Sequence, residues 1–497
     1  MAVKSGAEWL ETLRAQTPTV YMSGEKLEKV YENPTVFTMA MIFAGVRDIL
    51  NGPIFREKGS VASSPLINEE VSLFANIHQR PEEWIARTRI QRDICRRSLC
   101  VFRCLQEDYQ NAYWAITYET DQAHNTDYHK RLVEWVKHMQ KTDGIVGAAW
   151  MDARGDRTKP PHEQPDAFLR VIEKRKDGIV VRGCKSSISL ATNCNELSVT
   201  PPPLRGRYSP TAEDKDFAVA FAIPLDTEGI KLIAKVPLKR EPKTALKMDY
   251  PFSRVGFGDL VFTAIFDDVF VPWERVFLCG EWDMLERAAS LTIETHFSAK
   301  GGCKAGVLDL LCGAAALAAE YNGIENTPHA KQRLIHLMSW GEEAFAAAIG
   351  AEVEGEKHPS GVWFPDPLKA SANKWLCSEN GPGDIDILLD LGGGIVTNAP
   401  AETEWDNPEI RGYLDKYLVG KSGFSAEERV RVMKLLEDLT ATDVGGLLHQ
   451  LTVNAGGDLQ AARNAVYSLY DLEDRKRTAR VFAGIEQTDS LGFTWVL

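Results

Sequence analysis

Val261-Phe262-Thr263-Ala264-Ile265-Phe266-Asp267-Asp268-Val269-Phe270-Val271-Pro272, residues 261–272, is dense in β-branched and aromatic residues and ends on proline. A run of that composition predicts a strand. Working outward, Ile179-Val180-Val181 and Phe217-Ala218-Val219-Ala220-Phe221 have the same texture and alternate with Pro- and Gly-bearing turns from about Gly144 to Trp282. A β domain of short strands is therefore expected over residues 146–282. Before it, residues 1–145 are rich in helix formers with apolar residues at spacings of three and four, as in Leu132-Val133-Glu134-Trp135-Val136, and read as an N-terminal helical domain. After Trp282 the helical pattern returns in Ala314 to Ala319 and in Glu427 to Leu439, the latter with Ser425 as its expected cap. The order helices, strands, helices gives an α+β chain, with residues 283–497 as a C-terminal helical bundle. Only Thr200 to Pro210 and Gly355 to Pro367 read as loose segments.

The 497 residues exceed what one core usually organises, so two or three packed domains are expected. A formal net charge of -13 and the absence of a basic tract argue against nucleic acid as a partner. Residues 1–16 carry charges throughout and read as an ordinary helix, and no uninterrupted run of apolar residues is long enough to span a bilayer. A cytoplasmic protein without a membrane segment is the expectation. Nine cysteines in so long a chain are too few for a disulfide scaffold and point to buried thiols or ligands.

Cys100 and Cys104 are four apart in a helical segment, which puts both thiols on one face, a turn apart. The same spacing also suits two small residues packed in a core, and Cys95 is assigned there. His296 and Cys303 are seven apart, with Gly301-Gly302 between them; the glycine pair is expected to break a helix or admit a bulky group such as a cofactor. Three thiolates and an imidazole suit either zinc or an iron–sulfur cluster. Trp150-Met151-Asp152-Ala153-Arg154-Gly155-Asp156-Arg157 and Lys185-Ser186-Ser187-Ile188-Ser189 offer polar groups beside strands but lack a dinucleotide-binding glycine pattern. Leu391-Gly392-Gly393-Gly394 either presents backbone N–H groups to a phosphate or turns the chain.

Nearly end to end, the chain resembles the 4-hydroxybutyryl-CoA dehydratase/vinylacetyl-CoA isomerase family, within the wider group of 4-hydroxyphenylacetate 3-monooxygenases. The resemblance is carried by Tyr21-Met22-Ser23-Gly24-Glu25-Lys26, Cys100-Val101-Phe102-Arg103-Cys104, Arg154-Gly155-Asp156-Arg157, Phe266-Asp267-Asp268-Val269-Phe270-Val271-Pro272 and Gly301-Gly302-Cys303-Lys304. It implies an acyl-CoA dehydrogenase-like fold with a middle β-barrel, FAD between domains, and a homotetramer. It further implies a [4Fe-4S] cluster on Cys100, Cys104, His296 and Cys303, because the family holds its cluster by Cys-x3-Cys and His-x6-Cys. FAD contacts are implied at Trp150, Met151, Asp152, Asp156, Arg157, Lys185, Ser189, Gly393 and Gly394. The implied activity is that of a lyase with possible isomerase activity on an acyl-CoA, by a radical elimination: loss of the α-proton and of one electron to flavin makes an unactivated β-proton acidic. His296 is the implied base and the cluster the Lewis acid.

Several positions depart from the family pattern. Lys300 stands where the family has tyrosine, Val261 and the stretch around Leu448-His449-Gln450-Leu451 lack expected glutamates, and Phe102 replaces a glutamine. The ligand set is kept while its acid–base surroundings differ. Three readings follow: a dehydratase or isomerase on another acyl-CoA, with His296, Lys300 and His449 as catalytic residues; a flavin oxidoreductase or monooxygenase; and a catalytically altered, cluster-bearing paralogue.

Overall fold

The computed structural model describes residues 3–99, 104–153, 155–202, 208–236, 243–255, 260–455, 457, 459–488 and 490–492. Residues 261–272 form one strand, Val261–Pro272, paired antiparallel on one side with Gly178–Ser189 and on the other with Ile230–Lys235. The two longest strands have twelve residues each, longer than the short runs suggested, because register shifts near Phe266 let Asp267 and Asp268 turn outward without ending the pairing.

The middle β-barrel expected from the family resemblance is not what the chain builds. Among the described residues the strands make two main open sheets, besides two two-stranded ribbons, Val61–Ser64 with Glu69–Ser72 and Glu356–Lys357 with Trp363–Phe364. The larger runs Glu25–Lys26, Thr19–Met22, Ile230–Lys235, Val261–Pro272, Gly178–Ser189, Met151–Asp152, with Arg170–Lys174 also paired to Gly178–Ser189. The smaller runs Val276–Cys279, Val219–Pro224, Glu196–Val199, Val146–Ala149. Burial explains why they do not close. Val181, Phe221 and Phe266 lie in the core between the sheets, while Ala220, Ala222 and Phe277 face Tyr109, Tyr113 and Trp135 of two helices. The smaller sheet is thus a middle layer covered on both faces, which removes the polar/apolar alternation of a half-exposed sheet. Thr19–Met22, from the segment read as helical, pairs parallel with Ile230–Lys235 and ties the chain's start to the larger sheet.

The helical layers are built around Leu285–Tyr321, 37 residues long. It is long and apolar enough to cross a membrane, yet most of its apolar window is buried inside the fold, as in a core helix. Gly301 and Gly302 do not break it. A Cβ at Gly301 would lie 2.3 Å from the Cβ of Ala348, and one at Gly302 would lie 2.6 Å from the Thr88 carbonyl oxygen. The glycines let helices Pro81–Ser98 and Pro328–Val353 press against the central helix, so the bulky neighbour is protein. At the C-terminal end, Ser425 caps Ala426–Thr440 through the Glu428 N–H at 3.1 Å, as its sequence predicts. Gly393, at φ +69, ends helix Pro367–Gly392.

Two carboxylates fasten the stretch after Ile230–Lys235 to this helical part. Glu402 accepts the backbone N–H groups of Lys243, Thr244, Met248 and Asp249 at 2.7–3.1 Å. Asp438 accepts those of Phe252 and Ser253 at 2.6 and 2.9 Å. Burial alone would raise the Glu402 carboxyl's pKa, but the four backbone donors hold it below the ordinary value.

Candidate active site

Four helices meet where His296 and Cys303 lie. His296, Lys300 and Lys304 follow one another at spacings of four on Leu285–Tyr321 and so share a face, with Cys303 beside them. The imidazole Nδ1 of His296 is 2.7 Å from Oδ2 of Asp108, which is fully buried on helix Cys104–His124. That contact leaves Nε2 as the ring nitrogen available to another partner. The thiol of Cys303 is 3.5 Å from the Lys300 carbonyl oxygen.

Behind Asp108 is a buried polar nest. Arg87 donates to Oε1 of Glu107 at 3.1 Å, to Oδ1 of Asp108 at 3.3 Å and to Oγ of Ser298 at 2.6 Å, and its guanidinium lies over the Trp84 ring. Glu352 accepts from the Thr88 hydroxyl and is 3.9 Å from Arg87. Burial pushes the Glu352 carboxyl up to about 8, opposed by Arg87 and Thr88. Burial likewise raises Glu107, with Arg87 opposing and Asp108 adding like charge. His78, also in the nest, is pushed down to about 3 by burial and then by Arg87, so it is neutral near pH 7.

On the other side of Cys303 three buried lysines converge on the C-terminal end of helix Asp443–Asn454. Lys300 donates to the Leu451 carbonyl at 3.3 Å, Lys304 to the Thr452 hydroxyl, and Lys374 to the Val453 carbonyl at 2.8 Å and to Ser378 at 2.6 Å. The Cys377 thiol is pushed up to about 12, chiefly by burial, and stays protonated. Lys304, Asp384, Thr452 and His449 line a cavity of about 20 Å³, room for about one water. Burial pushes the Asp384 carboxyl up to about 7 against the Trp340 indole N–H, 3.0 Å away, and the Lys304 charge. His449 is exposed at this cavity's edge.

The residues anticipated for ligation and for FAD fall in several places. Cys100 lies outside the described residues, as does the side chain of Cys104, whose backbone opens helix Cys104–His124. Among the described residues no three His, Cys, Asp or Glu side chains are grouped to hold a metal ion. Cys95 is fully buried in the core, as assigned. Trp150 is half-buried and donates to the Ser198 hydroxyl at 3.1 Å, beside strand residue Met151. Asp152 and Lys185 form a fully buried ion pair at 2.7 Å, with Lys185 also donating to the Thr200 carbonyl. Asp156, exposed, caps its own turn through the Thr158 N–H at 3.0 Å; Arg157 is exposed beside it, and Ser189 ends a strand. Gly393 and Gly394 are exposed at the far end of helix Pro367–Gly392, away from these strands in sequence. Asp108, Arg87 and Lys374 were missed by sequence reasoning. Asp108 was within reach of it, being four residues after Cys104 and so one turn along the same helix.

Residues 5–278 match the 4-hydroxyphenylacetate 3-hydroxylase N-terminal family and residues 286–484 its C-terminal family. This defines the class: a family of enzymes spanning nearly the whole chain. Among relatives, the 4-hydroxybutyryl-CoA dehydratase/vinylacetyl-CoA-Δ-isomerase of Clostridium aminobutyricum is 32% identical over 496 residues, covering 96% of this chain and 99% of that one. An archaeal, oxygen-tolerant 4-hydroxybutyryl-CoA dehydratase from N. maritimus superposes with a TM-score of 0.89 at 29% identity, over 99% of this chain and 97% of that one. The 4-hydroxyphenylacetate 3-monooxygenase oxygenase component of Thermus thermophilus is 25% identical, covering 96% of this chain and 97% of its own length. The chain belongs to the 4-hydroxybutyryl-CoA dehydratase/vinylacetyl-CoA isomerase family, as a divergent member within the 4-hydroxyphenylacetate 3-hydroxylase group.

Proposed function

We propose that this chain is a cytoplasmic lyase or isomerase that acts on a hydroxyacyl-CoA or enoyl-CoA thioester, with FAD and a [4Fe-4S] cluster as cofactors. The observation that carries it is the hydrogen bond between buried Asp108 and His296 Nδ1. A carboxylate on one ring nitrogen is how proteins orient a ligating imidazole, since it fixes the tautomer and turns the other nitrogen toward the metal. Cys303 lies two turns further on the same helix, and Cys104 opens the helix that carries Asp108. Of the four expected ligands, His296 and Cys303 have described side chains, and their chemistry suits the group. When bound, flavin supplies one-electron acceptance and return, and the cluster supplies Lewis-acid binding of a leaving oxygen.

The chain's own residues would do the rest. Buried Asp108 and Arg87 hold His296 in register. His296 Nε2 is the atom proposed to ligate the cluster, and only with that lone pair released from iron could it take the β-proton that the thioester carbonyl does not acidify. Lys300 is proposed to hydrogen-bond a substrate oxygen beside Cys303. His449, at the solvent edge of the cavity that holds Asp384 and Lys304, is proposed to pass protons to water. Trp150 to Arg157, Lys185 and Ser189 are proposed as the FAD-contacting strip, with Gly393 and Gly394 reaching flavin from a neighbouring subunit of a homotetramer. The exposed apolar side chains of Tyr467, Phe482 and Ile485 near the C-terminal end support burial between subunits, which sedimentation of the purified protein would read as four chains or refute as one.

Absorbance and EPR spectra of anaerobically purified protein, with flavin and iron quantified, test the cofactor pair. About four irons per chain, lost in Cys303→Ala while flavin remains, is the expected result. Flavin without iron would sink the cluster reading. It would favour the monooxygenase alternative, supported by the match to the hydroxylase family, for which aerobic NAD(P)H consumption is the check. Tight acyl-CoA binding without turnover would instead indicate a catalytically altered paralogue.

A further inference from the structure

We infer that Gln91 belongs to the cluster site, its side-chain amide donating to a sulfur of the group held at Cys303 and easing that group's reduction; the inference rests on the cluster reading above. Gln91 lies on helix Pro81–Ser98 and is fully buried. Neither its Nε2 nor its Oε1 has a hydrogen-bond partner among the described residues.

Helix register places this amide. Helix Pro81–Ser98 runs in the same direction as the central helix, since Cβ atoms at Gly302 and Gly306 would meet the carbonyl oxygens of Thr88 and Arg92. Helix Cys104–His124 runs the opposite way, with Glu119 paired to Arg287 and Asp108 to His296. Arg87 ties the three together through Asp108 and Ser298. One helical turn further on, Gln91 follows Arg87, Gly302 follows Ser298 and Cys104 precedes Asp108, each by four positions, so all three come to one level. Gln91 Oε1 lies 3.0 Å from where a Cβ at Gly302 would be, and Cys303 is the next residue. Two of the four expected ligands, Cys104 and Cys303, are therefore at the height of the unpaired amide.

A buried glutamine also serves to bridge elements of a fold. Gln140 does so, accepting from the Ser64 hydroxyl at 2.6 Å and donating to the Ala75 carbonyl at 2.9 Å. Gln91 is satisfied at neither end, and each buried polar atom left unpaired costs about 1–3 kcal/mol, which a bound acceptor would relieve. Thiolate and sulfide sulfurs are anionic and accept only, so they turn the N–H end of the amide toward themselves. An N–H on such a sulfur stabilises the added negative charge of the reduced cluster and so raises its potential. An ordered water would satisfy the amide equally well without touching the potential.

The test uses anaerobically purified holoenzyme with iron and flavin quantified. In protein labelled with nitrogen-15 in its glutamine side chains, the dithionite-reduced cluster should show a coupling to that nitrogen by pulsed EPR. Gln91→Met, which keeps the length and removes the donor, should abolish the coupling and retain iron. In a potentiometric titration this variant should be about tenfold harder to reduce than wild type, about 59 mV for a one-electron couple. Gln91→Asn, which draws the amide back by one methylene, should behave alike and stands in if Gln91→Met does not fold. No coupling in the wild type overturns the inference, whatever the variants do. So does a coupling or a potential that the variants leave unchanged, which would assign Gln91 to packing or to a water. Loss of iron in both variants also overturns it, by making Gln91 a requirement for holding the cluster and not for its potential. Wild-type protein without iron sinks the cluster reading and this inference with it, whereas iron without the coupling sinks this inference alone.

Discussion

Asp108 does two things with one carboxyl group: Oδ2 meets His296 Nδ1 at 2.7 Å and Oδ1 takes a hydrogen bond from Arg87 at 3.3 Å. Each contact constrains the other, since a carboxylate fixed by a buried guanidinium has few orientations left for its imidazole partner. Loss of such an outer partner commonly weakens metal binding by about 10–100-fold. Under the cluster ligation proposed for His296, Asp108→Asn, which keeps the shape but leaves buried Arg87 one carboxylate short, is expected to lose iron to a chelator faster than wild type and to melt at a lower temperature, with flavin content changed little. Unaltered iron retention would show that the carboxylate does not position the ligand. At this scale the sequence singled out His296, Lys300 and Cys303, but the glycine pair between them left open whether one helix carried all three, which Leu285–Tyr321 does. It was silent on Arg87 and Lys374, because charged residues in an amphipathic pattern read as solvated until the fold buries them.

Among the elements, the central helix shows most clearly how one sequence feature supports two opposite expectations. Gly301-Gly302 signals either a break or a close approach, and only the neighbours decide. Helices Pro81–Ser98 and Pro328–Val353 provide them, through the Thr88 carbonyl and the Ala344–Ala348 turn. Gly302→Ala should lower the melting temperature by several degrees, since overpacking against backbone costs about 1–3 kcal/mol and exceeds the roughly 1 kcal/mol that alanine gains in helix propensity. A thermal melt checks this; an unchanged or raised midpoint would mean that the helices can separate without cost. The strands were legible in type and poorly legible in partnership. Val219 to Ile223 is buried at every position, and a strand covered on both faces carries no alternation to say which sheet or helix it meets.

Over the whole molecule, the strand-rich middle and the helices after it could be read from composition, because each has its own periodicity, while the strands Thr19–Met22, Glu25–Lys26, Val61–Ser64 and Glu69–Ser72 lie inside the segment read as helical. The parallel pairing of Thr19–Met22 with Ile230–Lys235 could not, since it joins residues about 210 positions apart and depends on long-range closure that no local pattern encodes. The two open sheets and the stretch fastened by Glu402 and Asp438 follow from such distant contacts as well.

The Glu402 attachment makes part of the fold answer to acid separately from the rest. Its carboxyl ionises more readily in the folded chain than in the unfolded one, so its contribution is complete above the unfolded carboxyl's pKa of about 4.3 and fades as pH falls through the lower folded value. With Glu402→Gln, a neutral amide faces four N–H groups that one carboxylate had satisfied. Amide hydrogen exchange at Lys243, Thr244, Met248 and Asp249 should then accelerate by an order of magnitude or more at neutral pH, at about 1–3 kcal/mol for each donor left without a partner, while Val261–Pro272 keeps its protection. Equal acceleration in both places would mean that the chain opens as one unit. Local opening at Lys243 to Asp249 would instead make this stretch the part of the β layer that detaches from the helices first, with the strands on either side still in register.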